Sequence, residues 1–270
     1  METVTSKDGT RIAYDRTGNG EPVILVAGAF SYRKYSGQVK VAELLSPHFT
    51  VLNYDRRGRG DSGDTPPYGV EREIEDLEAL LEAVGGSAYA WGLSSGAALS
   101  LRAAAAGLKM KKMALQEPPF VVAPGDRRPP EDLYARVSDL IAADQRGAAV
   151  KYFMTEGMGA PSFVVSMLKV MPGVWPKLTA VAHTLPYDAL LVEGYQTGRP
   201  LPAREWDSVT MPTLVMSGTE RESPAALCHS AAAVASALPD AQLIVRKGLG
   251  HAKKLTPKVI ASTLAEFFGD

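Results

Sequence analysis

Gly92-Leu93-Ser94-Ser95-Gly96 is preceded by Ala88-Tyr89-Ala90-Trp91 and followed by Ala97-Ala98-Leu99-Ser100-Leu101-Arg102-Ala103-Ala104-Ala105-Ala106. The upstream residues read as the end of a buried strand, and the alanine-rich run is strongly helix-forming. A G-x-S-x-G pentapeptide between a strand and a helix is the pattern of a nucleophile elbow, a sharp turn that lifts the serine hydroxyl above a sheet. The helix that begins there points free N–H groups at the same spot, where they can receive a developing oxyanion. Glycines two residues before and two after Ser94 let strand and helix pack closely around a strained backbone. An ordinary Gly/Ser turn uses the same letters, so the reading of Ser94 as a nucleophile rests on the flanking elements.

Outward from this turn, short β-rich runs occur at Val4–Thr5, Arg11–Tyr14, Val23–Val26, Thr50–Tyr54, Tyr89–Trp91, Met113–Leu115, Thr213–Met216 and Gln242–Val245. The first two flank Lys7-Asp8-Gly9-Thr10 and predict a hairpin. From Val23 onward most runs are followed by helical segments, which predicts a mostly parallel, doubly wound sheet covered by helices on both faces. Ligands of such sheets bind beyond the strand carboxyl ends. Between Phe120 and Val209 the alternation stops, and the pattern predicts short helices over 131–143, 148–156, 162–171, 175–183 and 187–194. Pro129-Pro130, Pro161, Pro172, Pro176 and Pro186 separate them. The expected organisation is a catalytic unit formed by residues 1–120 and 210–270, with residues 121–209 inserted as a helical cap. Phe153, Met154, Met158, Phe163, Met167, Met171, Trp175, Leu185 and Tyr187 are expected mostly to pack against the catalytic unit, a few lining an apolar pocket over Ser94.

The chain has 270 residues, 46% of them hydrophobic, with 29 Lys and Arg against 30 Asp and Glu, a formal net charge of -1. That balance supplies no basic surface for nucleic acid. Lys109, Lys111 and Lys112 read as a solvated helix end. The one cysteine, Cys228, excludes an internal disulfide framework and points to a reducing compartment. The N-terminal residues show no basic-then-apolar signal pattern, and no run of eighteen apolar residues occurs, so a cytoplasmic protein that does not engage membranes is expected. No cofactor is expected: Gly58-Arg59-Gly60-Asp61-Ser62-Gly63 falls one residue short of the dinucleotide-binding spacing, and no phosphate-cradling loop occurs. No metal site is expected either, and a homodimer is compatible with the sequence.

Several of these elements, in order, resemble the α/β-hydrolase superfamily. Tyr54-Asp55-Arg56-Arg57-Gly58-Arg59-Gly60-Asp61-Ser62 is similar to the D-x-R-G-x-G-x-S loop that members carry after their second parallel strand. Ile24-Leu25-Val26-Ala27-Gly28-Ala29 stands where the first parallel strand and oxyanion loop lie, and Gly248-Leu249-Gly250-His251 follows the last strand as the histidine loop does. The elbow together with Glu117-Pro118-Pro119-Phe120 looks like uncharacterised bacterial α/β-hydrolases and, in Trp91-Gly92-x-Ser94-Ser95-Gly96-Ala97 plus Glu117, like zearalenone-type lactonases. The resemblance implies an α/β-hydrolase fold and a Ser-His-acid triad.

A serine needs a base within hydrogen-bond reach. Of His48, His183, His229 and His251, only His251 lies in a glycine-bracketed loop past the last strand and after Ser94 in the chain, the order such triads show. The acid is less regular. Counted from Gly218, the position where family members commonly carry an aspartate is Arg221, flanked by Glu220 and Glu222. Glu117, directly after the strand ending near Leu115, occupies the alternative place used by haloalkane dehalogenases and zearalenone-type lactonases. Glu117 is preferred, with Glu222 and then Glu220 as alternatives. The resemblance places the oxyanion hole at the backbone N–H groups of Ala29 and Ser95. Asp55, Arg56, Arg57 and Asp61 read as ion pairs stiffening a loop.

The sequence thus predicts a serine hydrolase cleaving a carboxylic ester or lactone of a hydrophobic small molecule through an acyl-enzyme on Ser94. Two alternatives stay open: a non-hydrolytic lyase or cyclase using the same pocket, and a ligand-binding protein whose triad no longer turns over.

Overall fold

The structure is a computed structural model and describes residues 1–251 and 255–269; positions 252–254 and 270, part of the expected catalytic unit, lie outside the described residues. The strands are β1 (Glu2–Thr5), β2 (Arg11–Thr17), β3 (Glu21–Val26), β4 (Phe49–Tyr54), β5 (Ala88–Leu93), β6 (Met110–Gln116), β7 (Thr213–Ser217) and β8 (Ala241–Val245). They form one sheet in the order β1-β2-β4-β3-β5-β6-β7-β8. The hairpin expected at the N-terminus is β1 paired antiparallel with β2, and β2 in turn runs antiparallel to β4. From β4 to β8 every pairing is parallel.

Parallel neighbours demand crossovers, and the helices that supply them cover both faces: α1 (Ser36–Leu45), α2 (Val70–Glu82) and α3 (Ser95–Ala105). The continuous apolar run of β3 shows why both faces must be covered. Ile24 and Val26 point into a core shared with Leu77 and Leu80 of α2 and Leu99 of α3, while Val23 and Leu25 point into a second core with Val41 and Leu45 of α1. A strand buried on both sides needs no polar alternation, and this one has none.

Between β6 and β7 the described chain is helical: α4 (Leu133–Ala142), α5 (Arg146–Tyr152), a π-helical turn at Phe153–Gly157, α6 (Ser162–Val170), α7 (Val174–Ala180), a 3-10 turn at Ala182–Thr184 and α8 (Leu185–Leu191). After β7 come α9 (Ala225–Ala237) and α10 (Pro257–Gly269), the latter completing the α1 face. The inserted helices have a small core of their own, with Val137, Leu140, Ala149, Val150, Phe153 and Leu185, against which Ala29 and Phe30 of the sheet unit pack. Three expectations need correction. Lys111 and Lys112, expected at a solvated helix end, lie in strand β6. The helix expected over 187–194 spans Leu185–Leu191, because the prolyl ring of Pro186 fits a first turn, where its missing N–H is not needed. More important, of the nine apolar residues expected mostly to pack against the catalytic unit, Met158, Phe163, Met167 and Met171 are 55%, 72%, 52% and 43% exposed, and α6 buries only Val165. Helical periodicity marks an apolar face without saying what covers it.

Among the described residues no helix is long and apolar enough to cross a membrane.

Candidate active site

Ser94 sits between the end of β5 and the start of α3 with φ 55° and ψ −123°, a left-handed conformation that a non-glycine residue adopts only at a cost of about 1–3 kcal/mol. Close packing holds it there. A Cβ at Gly92 would come 2.5 Å from the Gly96 carbonyl oxygen, and one at Gly96 would lie closer still to the carbonyl of Val26. The Ser94 N–H donates to the Gln116 carbonyl at 2.9 Å, which locks the turn to the neighbouring strand.

Glu117 begins where β6 ends and is likewise in the left-handed region, with φ 47°. Its N–H continues the ladder to the Met216 carbonyl at 2.9 Å, while its fully buried carboxylate turns across the end of β7. One oxygen, Oε1, accepts the Gly218 N–H at 3.0 Å and the Ser223 hydroxyl. The other, Oε2, accepts the His251 backbone N–H at 3.0 Å and lies 2.5 Å from His251 Nδ1. Burial raises the pKa of this carboxyl, but the hydrogen bond and charge of His251, the Ser223 hydroxyl and the Gly218 N–H outweigh it, so the group lies below the ordinary carboxylate range. An ionised carboxylate can only accept; the proton between the two is therefore on Nδ1, which leaves Nε2 as the free base.

The other candidate acids stand elsewhere. Glu222 accepts the Gly248 N–H at 3.0 and 3.1 Å and the Thr219 hydroxyl at 3.2 Å, so it braces the backbone of the histidine loop. Glu220 is exposed. Gln116 adds a second brace: it accepts the Trp91 indole N–H at 3.1 Å and donates to the Leu249 carbonyl at 2.5 Å, joining β5, β6 and the loop two residues before His251. Of the remaining histidines, His48 is exposed, His229 pairs with Asp126 across 2.9 Å, and His183 lies among the inserted helices, its pKa lowered by burial and by Arg146.

Ser94, His251, Ala29 and Met158 line two cavities that meet over the serine. The inner one, about 260 Å³, runs under the inserted helices among Phe120, Val121, Leu133, Phe153, Val192 and Leu227. The outer one, about 480 Å³, opens between Tyr32, Tyr35 and Leu178 with Lys34 and Lys177 at its sides. The Ala29 and Ser95 N–H groups donate to no other group among the described residues, and both residues line the inner cavity. No group of three or more His, Cys, Asp or Glu residues that could hold a metal occurs among the described residues.

Below the inner cavity lies a feature the sequence did not single out. Asp188 of α8, 2% exposed, accepts Arg56 Nη1 and Arg59 Nη2, each at 2.7 Å, and the Ser95 hydroxyl at 2.7 Å. Arg56 is held from its other side by Glu73 through two bonds of 2.6 Å. The charged loop is thus stiffened by ion pairs as expected, with Arg57 on Asp76 and Arg33 on Asp55, but Arg56 and Arg59 also reach the inserted helices. The available signal was three arginines within four residues of a loop bound to be covered, which require carboxylates from somewhere. A lone aspartate in Leu185-Pro186-Tyr187-Asp188-Ala189 gave no hint that it was one of them.

Residues 23–258 match the alpha/beta hydrolase family, and the chain belongs to it. A solved alpha/beta hydrolase from Sphaerobacter thermophilus DSM 20745 is 49% identical, covering 99% of this chain and 100% of that one with a TM-score of 0.88. Among curated proteins, N-formylmaleamate deformylase of Pseudomonas putida strain KT2440 is 38% identical over 133 residues, 47% of this chain; the match spans 48% of that relative's length. The enol-lactonase from Burkholderia xenovorans LB400 shares the fold at 19% identity, with a TM-score of 0.71 over 100% of both chains.

Proposed function

We propose that this protein is a serine hydrolase that opens a carboxylic ester or lactone of a hydrophobic small molecule. The observation that carries the proposal is the arrangement at one cavity: a strained serine, and a histidine whose Nδ1 is held by a buried carboxylate. In this reading Nε2 of His251 takes the Ser94 proton as Oγ bonds to the carbonyl carbon. The carbonyl electrons move to an oxyanion received by the N–H groups of Ala29 and Ser95. Collapse of the tetrahedral intermediate breaks the bond to the alcohol, which leaves with the proton from His251. Water, deprotonated by the same nitrogen, then releases the acid and restores Ser94.

The apolar inner cavity, closed over by the inserted helices acting as a cap, favours an alkyl or aryl acyl group. Lactone opening belongs to the proposal because the elbow and Glu117 resemble zearalenone-type lactonases. A deformylase and an enol-lactonase among the similar proteins agree with hydrolysis at a carbonyl. A ligand-binding protein needs no acid on its histidine, and Glu117 bonded to His251 supports turnover instead.

The test is an ester series. With p-nitrophenyl acetate, butyrate and octanoate we expect a burst of about one equivalent of p-nitrophenol per protein. We also expect kcat/KM to rise from acetate to butyrate, by roughly tenfold for two methylenes placed in an apolar pocket. The absence of a burst and of turnover with every ester and lactone would sink the proposal.

A further inference from the structure

The Asp188 cluster bonds next to both backbone N–H groups that the preceding reading assigns to the oxyanion: it holds the carbonyl of the Gly28–Ala29 peptide and the side-chain hydroxyl of Ser95. Arg59 is fully enclosed and uses every edge of its guanidinium: Nε donates to Thr184 Oγ1 at 3.0 Å, Nη2 to Asp188 at 2.7 Å, and Nη1 to the Gly28 carbonyl at 2.7 Å and the Ser31 carbonyl at 3.2 Å. The Gly28 carbonyl and the Ala29 N–H belong to one trans peptide, so they point in opposite directions. With the carbonyl fixed on Arg59, the N–H is turned away from the arginine. A peptide flip here would break a charge-assisted bond and aim the carbonyl oxygen at the site where negative charge develops. The same bond polarises the peptide and makes its N–H a better donor.

The second donor is tied to the same carboxylate. Ser95 Oγ donates to Asp188 Oδ1 at 2.7 Å, which fixes the residue whose N–H completes the pair. Arg56 Nη1 bonds Asp188 Oδ1 and reaches the Ala27 carbonyl at 3.3 Å, steadying the strand end that leads into Gly28. Asp188 and Thr184 come from the inserted helices, whereas Arg56, Arg59 and Ser95 come from the sheet unit. In the D-x-R-G-x-G-x-S pattern, Arg56 and Arg59 occupy free positions, so the loop does not need arginine there to make its turn.

We propose that Arg59, anchored by Asp188, is a positioning residue of the oxyanion hole, and that the hole is fully formed only when the inserted helices are seated on the sheet. The inference rests on the serine-hydrolase reading.

Its test uses an aryl trifluoromethyl ketone, which forms a hemiketal oxyanion on an active serine, and the corresponding methyl ketone, which fills the same cavity without that charge. Both are titrated against the wild type, Arg59→Lys, Asp188→Asn and Ser95→Ala, with 19F NMR observing the hemiketal and ester turnover measured in parallel. We expect Arg59→Lys and Asp188→Asn to lower kcat and trifluoromethyl ketone affinity together by about tenfold or more. KM and methyl ketone affinity should stay within about twofold. Ser95→Ala should show the same split more weakly, and because it leaves both ion pairs in place it carries the test if the other variants fail to fold. A fall in melting temperature with kcat and trifluoromethyl ketone affinity unchanged would overturn the inference and leave the cluster a structural clamp. A wild type that forms no hemiketal on Ser94 would instead overturn the serine-hydrolase reading itself.

Discussion

Replacement of Ser94 by alanine is expected to lower ester turnover by about 10⁴- to 10⁶-fold, the range set by losing the attacking group while oxyanion donors and binding remain. Stability should barely move. The Ser94 backbone is held by its N–H bond to Gln116 and by the close packing of Gly92 and Gly96, neither of which involves the hydroxyl. A change within about 0.5 kcal/mol is therefore expected in urea unfolding. Substrate affinity should also survive, because the inner cavity keeps its apolar walls. The same variant separates hydrolysis from the lyase or cyclase alternative. A base-driven elimination could still run through Nε2 of His251, so a loss of under about tenfold in the variant would favour that chemistry.

Glu117→Gln should cost turnover about 10³- to 10⁴-fold and, unlike the change at Ser94, should also destabilise the fold. The carboxylate receives four donors: the Gly218 N–H, the Ser223 hydroxyl, the His251 backbone N–H and His251 Nδ1. A glutamine offers one oxygen and one NH₂. If the oxygen faces His251, the NH₂ meets the Gly218 N–H; if it faces Gly218, the NH₂ meets Nδ1 and favours the tautomer with the proton on Nε2. Either way a buried donor is left unsatisfied, at about 1–3 kcal/mol. The pH dependence has a definite sign. Because the folded carboxyl titrates below its ordinary value of 4.5, its ionised form stabilises the fold fully above that value. This stabilisation is lost as pH falls through the lower, folded value. The stability gap between wild type and Glu117→Gln should therefore be flat around neutrality and shrink only in acid. A gap that instead grew in acid would contradict the assigned charge state.

Much of the fold is legible in the amino-acid sequence. The parallel core was written in Val23–Val26 and the runs like it, since a strand with no polar face can be stable only when both faces are covered. Ser94 stands out because it directly follows β5, and His251 because it lies in the loop after β8, at the strand ends where an open α/β sheet binds its ligands. The candidate acid is less legible. Arg221 occupies the usual aspartate position, and only the observed path of Glu117 across the end of β7 distinguishes it from Glu222, three residues from the Thr219 turn. What could not be read was long-range and electrostatic. Asp188 lies 129 residues from Arg59 in the chain, and no local pattern links a carboxylate on a short helix to a loop that far away. The exposed face of α6 is not legible for a related reason: an apolar stripe has the same sequence whether or not a neighbour covers it.

The central claim is that Ser94 is an activated nucleophile, and covalent labelling followed by peptide mapping tests it most directly. Treated with a fluorophosphonate at neutral pH, the wild type is expected to gain a single phosphonyl adduct on the peptide carrying Gly92 to Gly96, localised to Ser94. The Ser94→Ala protein should gain none, and Glu117→Gln should label more slowly. An unmodified Ser94 in a folded wild type, or an adduct on Ser95 that persists in Ser94→Ala, would contradict the account.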